Sequence, residues 1–195
     1  MGASPGRDIT DAPPRKHEEY LKMKTYFVAA VAALAVAAPA SATEFAGPYI
    51  GAGVNLDNIQ GSGSAEGIGF NGVGGTVFAG YDLPVSPIAF VGVEANADLY
   101  SADIGNSLEA DWGWGISGRL GAKINDATAL YARVGYAQAR LEALGDGEWF
   151  EGVRYGAGIE TAVSAQLSLR AELTQINYEA DLINNQAGVA VSYRF

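Results

Sequence analysis

The chain has 195 residues, 49% of them hydrophobic and 17% charged, with 26 glycines, one histidine and no cysteine. Charged residues fall well below the roughly 25% of ordinary soluble domains and glycine stands at about twice its usual share, which argues against disorder and against a charged-surface enzyme. Twelve basic against 22 acidic residues give a formal net charge of −10, so no basic surface exists to track a nucleic-acid backbone; without cysteine there is no disulfide framework, thiol nucleophile or thiolate metal site.

The first 22 residues are polar and rich in charge and proline, and Met23-Lys24 after them reads as a conventional leader start. From Lys24 a cationic residue leads into a 13-residue apolar run, Tyr26 to Ala38, then Pro39 and the small residues Ala40-Ser41-Ala42. This is the layout of a secretory signal peptide, with Ala40 and Ala42 at the small-residue positions and cleavage expected before Thr43. A run of this length is too short to cross about 30 Å of hydrocarbon as a helix, so export is expected rather than anchoring. The chain then divides into a leader, 1–42, and one exported domain, 43–195. His17 leaves with the leader, and the exported part carries 7 basic and 18 acidic residues and no histidine.

After Ala42 no stretch sustains a helical period, whereas apolar and polar residues alternate with period two between Gly, Asn, Asp and Pro punctuation. In chain order the apolar faces are Ile50-Ala52-Val54-Leu56, Val73-Val77-Ala79-Tyr81, Val91-Val93-Ala95-Ala97, Trp112-Trp114-Ile116-Leu120, Leu130-Ala132-Val134-Tyr136, Val153-Tyr155-Ala157-Ile159, Leu167-Leu169-Ala171-Leu173 and Ala187-Val189-Val191-Tyr193-Phe195. Eight strands of roughly 10 residues fit the length, and ten would fit less comfortably.

Three features place lipid outside the sheet. Connections alternate between short (83–87, 124–128, 164–166) and longer (57–71, 101–111, 142–152, 179–186), as in membrane barrels with tight periplasmic turns and long outward loops. One face is continuously apolar while the other holds Gly, Ser, Asn and full charges, the inverse of a soluble barrel. Tyr81, Tyr193 and Phe195 fall at one end of the apolar face and Trp112 and Trp114 near the other, as two interfacial girdles require. The expected fold is an all-β, eight-stranded antiparallel up-and-down transmembrane barrel.

Gly80-Tyr81-Asp82, the stretch Val91-Gly92-Val93-Glu94-Ala95 and the terminal ladder Val189, Val191, Tyr193, Phe195 resemble the small outer-membrane β-barrel family, which groups the OmpA transmembrane domain, OmpX and the neisserial-type opacity proteins. The resemblance implies a Gram-negative outer membrane, contact with its lipid and lipopolysaccharide, and a C-terminal aromatic read by the barrel-assembly machinery. It does not imply one biochemical activity, because the fold hosts several.

Residues that could carry chemistry are few. A serine esterase arrangement needs a base, usually histidine, and the exported chain has none. Asp146, Glu148 and Glu151 cluster in one outward segment and read as solvated surface. With Asp57, Glu66, Asp103, Glu109, Asp111, Glu179 and Asp181 they could offer oxygen ligands to Ca²⁺ or Mg²⁺, but no EF-hand spacing is present. Gly61–Gly67 lacks the Lys-Ser/Thr ending of a phosphate loop and reads as a flexible surface loop. No catalytic residue, metal site or cofactor is therefore expected.

The inward charges Glu94, Arg119, Arg133, Arg154, Glu160, Arg170 and Glu172 suit either a selectivity constriction or an ion-pair network filling the lumen. An eight-stranded interior is just wide enough for side chains to fill, which favours the network. All but Arg154 should share the periplasmic half, three carboxylates balancing three guanidinium groups. The expected function is a non-enzymatic, mainly structural surface barrel with acidic extracellular loops. A small-solute channel and an adhesin or ligand-binding surface protein contacting a host or surface ligand through its loops are the rivals.

Overall fold

The computed structural model describes residues 45–61, 69–103, 108–143, 146–179 and 182–195. The leader with Ala40, Ala42 and Thr43, and the loop positions Glu66, Gly67 and Asp181, lie outside them. Eight strands follow in order: β1 (Gly47–Gly61), β2 (Gly69–Pro84), β3 (Ala89–Asp103), β4 (Leu108–Lys123), β5 (Thr128–Ala143), β6 (Asp146–Ala162), β7 (Leu167–Tyr178) and β8 (Leu182–Arg194). Each pairs antiparallel with its sequence neighbours, and β8 returns to β1, closing an up-and-down barrel. Closure leaves no open edge, so every strand has ladder partners on both sides, as a chain in hydrocarbon requires.

The register fixes the shape. Starting at Tyr49 and following paired residues once around (Gly80, Glu94, Ser117, Gly135, Arg154, Ile176, Asn184) returns to β1 at Ile59, ten residues higher (59 − 49). Such a stagger on eight strands goes with a strand tilt of roughly 35–45°. It also brings residues from the end of one strand level with residues from the middle of another.

The three short turns share one construction. In Val85–Ile88, Ile124–Ala127 and Val163–Gln166 the first two amides donate to the carbonyl of the residue that opens the next strand, at 2.8–3.3 Å. The second residue caps the turn with its side chain: Ser86 Oγ accepts from the Ala89 amide at 3.0 Å, Asn125 Oδ1 from Ala127 at 2.9 Å and Ser164 Oγ from Leu167 at 3.1 Å. Ser and Asn fit here because a short side-chain acceptor can mimic a backbone carbonyl. The start of β1 and the last residue meet at this same rim, where the Phe195 amide donates to the Pro48 carbonyl at 3.1 Å.

At the opposite rim the strands run further than the sequence suggests. Strands span 12–17 residues, and much of 57–71, 101–111, 142–152 and 179–186, expected as loop, is paired strand. Beyond the apolar band both faces meet water, so alternation fades while the hydrogen-bonded ladder continues; period two marks only the lipid-facing length of a strand. On β1 that length is Ile50 to Leu56, and all the large outward residues along it are exposed. Ile159 departs from the expectation: its register is outward, between Leu130 and Ala171, yet it is 5% exposed against 61% for Val134.

Candidate functional site

The inward positions of the short-turn half form one charged cluster. Arg119 on β4 reaches Glu160 on β6 at 3.0 Å, Glu94 on β3 at 3.4 Å and the Tyr49 hydroxyl on β1 at 2.5 Å. Arg170 on β7 binds Glu94 at 2.6 Å and Glu160 at 3.0 Å. Arg133 on β5 lies 3.0 Å from both Glu94 and Glu172, and Arg194 on β8 binds Asp82 at 3.0 Å and Glu160 at 3.4 Å. Hydroxyls complete the carboxylate shells: Tyr49 donates to Glu94 at 2.9 Å, Ser168 to Glu160 at 2.8 Å, and Tyr131 and Thr174 each to Glu172 at 2.6 Å. Each carboxylate thus meets more than one donor, the condition under which buried charge is tolerated. Arginine suits the role because its planar fork serves two acceptors at once.

Aromatic rings and glycines shape the space. Arg119 stacks 4.3 Å from the Tyr131 ring centroid, Arg170 4.4 Å from Phe78 and Arg194 4.8 Å from Tyr49, contacts that gain strength where water is excluded. Each of these rings packs against a glycine, as does that of Phe90. A Cβ on Gly51 would strike Phe78, one on Gly80 Tyr49, one on Gly121 Phe90 and one on Gly158 Tyr131. The high glycine content is thereby partly an inward feature, room made for large side chains in a narrow barrel. At the short-turn mouth Phe45, 2% exposed, stacks on Phe90 with centroids 5.8 Å apart.

The structure alters the expected membership. Four carboxylates (Asp82, Glu94, Glu160, Glu172) face four guanidinium groups (Arg119, Arg133, Arg170, Arg194), rather than three facing three. Arg154 stands apart, higher in the lumen, bound to Asp98 at 2.6 Å. Asn96 joins the two levels, donating to Asp98 at 2.7 Å and accepting from Arg133 at 3.3 Å. The sequence pattern does not set Arg194, Tyr49 or Phe45 apart, and it offers Asp82 only within the stretch Gly80-Tyr81-Asp82. Inward parity alone marks Asp82, Tyr49 and Arg194, and the ten-residue stagger makes them neighbours of Glu160 and Glu94.

Between the levels lies a cavity of about 40 Å³ lined by Asn55, Thr76, Asn96, Arg133, Thr174 and Gln186 among others. At about 10–15 Å³ per water it has room for roughly three or four waters. Above it Asp57 accepts from Gln186 at 2.6 Å and Asn184 at 3.1 Å, beside the fully buried Ile176.

Outside, aromatic pairs stand at two heights. Trp112 packs edge-on against Trp149 at 5.1 Å and Trp114 against Tyr136 at 6.2 Å toward the outward rim, and Tyr193 against Phe195 at 5.2 Å at the short-turn rim, where Tyr81 also lies exposed. Trp149 falls within 142–152, a segment expected as loop, and so lies outside the girdle that the sequence predicts. Val189 and Val191 are exposed on the same face as Phe195. Among the described residues no group of three or more His, Cys, Asp or Glu side chains is placed to hold a metal ion.

A family model described as an outer membrane protein beta-barrel domain matches residues 27–195. The crystal structure of Ail, the attachment invasion locus protein of Yersinia pestis, is 16% identical, with 77% of this chain and 100% of that chain covered at a TM-score of 0.57. Neisserial surface protein A is 15% identical, with 76% and 97% covered and a TM-score of 0.57. Ail in complex with the heparin analogue sucrose octasulfate is 16% identical over 77% of this chain and 100% of that chain, at a TM-score of 0.50. At these identities the likeness shows the fold. No curated protein sequence matches the chain.

Proposed function

The chain belongs to the outer membrane protein beta-barrel domain family, and from that premise we propose that it is a closed-lumen surface barrel, a non-enzymatic protein of the outer membrane that holds acidic strand extensions and loops at the cell exterior. The protein resides in the outer membrane, its apolar band against lipid. The observation that carries the reading is the lumen: eight inward charges from seven strands, seven of them buried, close its short-turn half, and the cavity above them has room for no more than a few waters. A channel needs a continuous wet path, and this interior offers salt bridges with aromatic walls instead. Swelling of vesicles containing the folded protein in a small-sugar gradient tests this. Swelling no faster than in empty vesicles is expected, and sugar-dependent swelling would return the channel reading.

The adhesin reading keeps one supporting observation and acquires a constraint. Residues 57–71, 101–111, 142–152 and 179–186 hold eleven carboxylates and not one Lys, Arg or His, because five of the seven basic residues after Thr43 point into the lumen. The sucrose octasulfate held by the Ail structure is a polyanion; a surface of this sign repels such a ligand and suits a cationic one. We further propose cleavage before Thr43 after export, checked by intact mass, contact with lipopolysaccharide at the outer leaflet, and recognition of Val189, Val191, Tyr193 and Phe195 by the assembly machinery. Truncation of Phe195 should leave protein in the periplasm; wild-type levels in the outer membrane would show that the terminal residue is incidental.

A further inference from the structure

Asp57 is the lumen carboxylate that the ion-pair network does not reach. It sits on β1 near the outward rim and is 6% exposed. Its Oδ1 accepts two amide donors, Gln186 Nε2 at 2.6 Å and Asn184 Nδ2 at 3.1 Å. Among the described residues no group donates to its other oxygen and no Lys or Arg comes within ion-pair distance; the nearby guanidinium of Arg154 is bound to Asp98. Asn184 is 1% exposed, and its Oδ1, on the amide group that touches Asp57, is buried without a hydrogen-bond partner. Turning the amide over would leave Nδ2 orphaned and set two oxygens against each other, so the orientation given is the sound one.

Oδ2 faces β2 at Gly74, where a Cβ would come within 2.8 Å of it. The glycine therefore leaves the free oxygen room. A carboxylate with no arginine partner, beside an amide oxygen that is buried and orphaned, lacks a positive group that accepts oxygen ligands and donates nothing that needs a partner. A hard metal cation supplies this.

We propose that the Asp57 carboxylate and Asn184 Oδ1 form a binding site for a hydrated alkali or alkaline-earth cation inside the outward end of the barrel. Gln186 holds the carboxylate in place as a positioning residue. With one carboxylate and one amide oxygen from side chains, water fills most of the coordination shell, the mode in which Mg²⁺ in particular is usually bound. The acidic segments at the same rim raise the local concentration of cations. The sequence names Asp57 only as one acid among many; the structure separates it from the others by its burial and its partners.

The test is the unfolding midpoint of the folded protein in lipid vesicles, titrated separately with Na⁺, Mg²⁺ and Ca²⁺ at constant ionic strength set by an organic cation. The expected result is a saturable rise with at least one of the three, which identifies the ion. That rise should be absent in Asp57→Asn, shifted to at least about tenfold higher concentration in Asn184→Leu, and kept in Glu151→Gln, which removes an exposed acid on the outer surface. No saturable rise in wild type would mean that Asp57 is neutral or merely hydrated and would overturn the proposal. So would a wild-type response in Asp57→Asn, which would assign binding to the exposed acids. Should Asp57→Asn not fold, Asn184→Leu decides, and an unchanged half-saturation there overturns the site.

Discussion

Glu160 and Asp57 are both carboxylates buried in the same lumen, on opposite sides of the central cavity, and their surroundings differ in kind. Glu160 meets Arg119, Arg170 and Arg194 together with the Ser168 hydroxyl. Asp57 meets two neutral amides. The short-turn half thus balances full charges against one another, and the outward half buries one acid on dipoles alone. The contrast follows from where the cations are: four of the lumen arginines sit below Asn96 and the remaining one, Arg154, is engaged by Asp98. Removing Glu160 should therefore strand positive charge, and removing Asp57 should strand none.

The largest expected effect comes from Glu160→Gln, which leaves three buried guanidinium groups short of a partner and should cost about 3–5 kcal/mol in reversible unfolding from lipid vesicles. Asp57→Asn, measured the same way with the organic cation as the sole supporting cation, should change stability by about 1 kcal/mol or less, since the amide keeps an acceptor for Gln186. Similar costs at both sites would erase the distinction between the two halves.

Val134→Arg carries the comparison through the barrel wall. Arg133 points into the lumen and Val134, the next residue, into lipid, where it is 61% exposed. A guanidinium that has partners on one side has none on the other, and the change should cost about 2–4 kcal/mol near mid-depth. A neutral outcome would argue against lipid on the outer face.

Gly121→Ala asks whether the lower half is as tightly filled as its geometry implies. The added methyl runs into the Phe90 ring and should cost about 1–3 kcal/mol through overpacking; a stabilised variant would mean that the ring has room to move. A similarly small effect is expected at the turns, where Ser164→Ala removes the caps on Gln166 and Leu167 for about 0.5–1 kcal/mol.

Much of this architecture is legible in the sequence, because a membrane barrel writes its lipid face as strict alternation. Val91, Val93 and Ala95 on one parity, with Gly92 and Glu94 on the other, suffice to place Glu94 inward. Parity does not give height. Asp82 lies beside a turn at the end of β2 and Arg194 at the end of β8, and their meeting depends on a stagger that accumulates around eight strands. The outward strand extensions escape for a different reason: Trp149 lies where both faces meet water and polar residues no longer alternate with apolar ones. Asp57 is visible as an acid in the sequence, but that it forms no ion pair among the described residues is a property of the closed barrel alone.

If buried ion pairs close the lumen, single wild-type barrels in a planar bilayer should carry no current. Discrete openings are expected in Glu160→Gln, where the carboxylate that pairs with three arginines is lost. Stable conductance steps in wild type, unchanged by Glu160→Gln, would contradict closure by ion pairs.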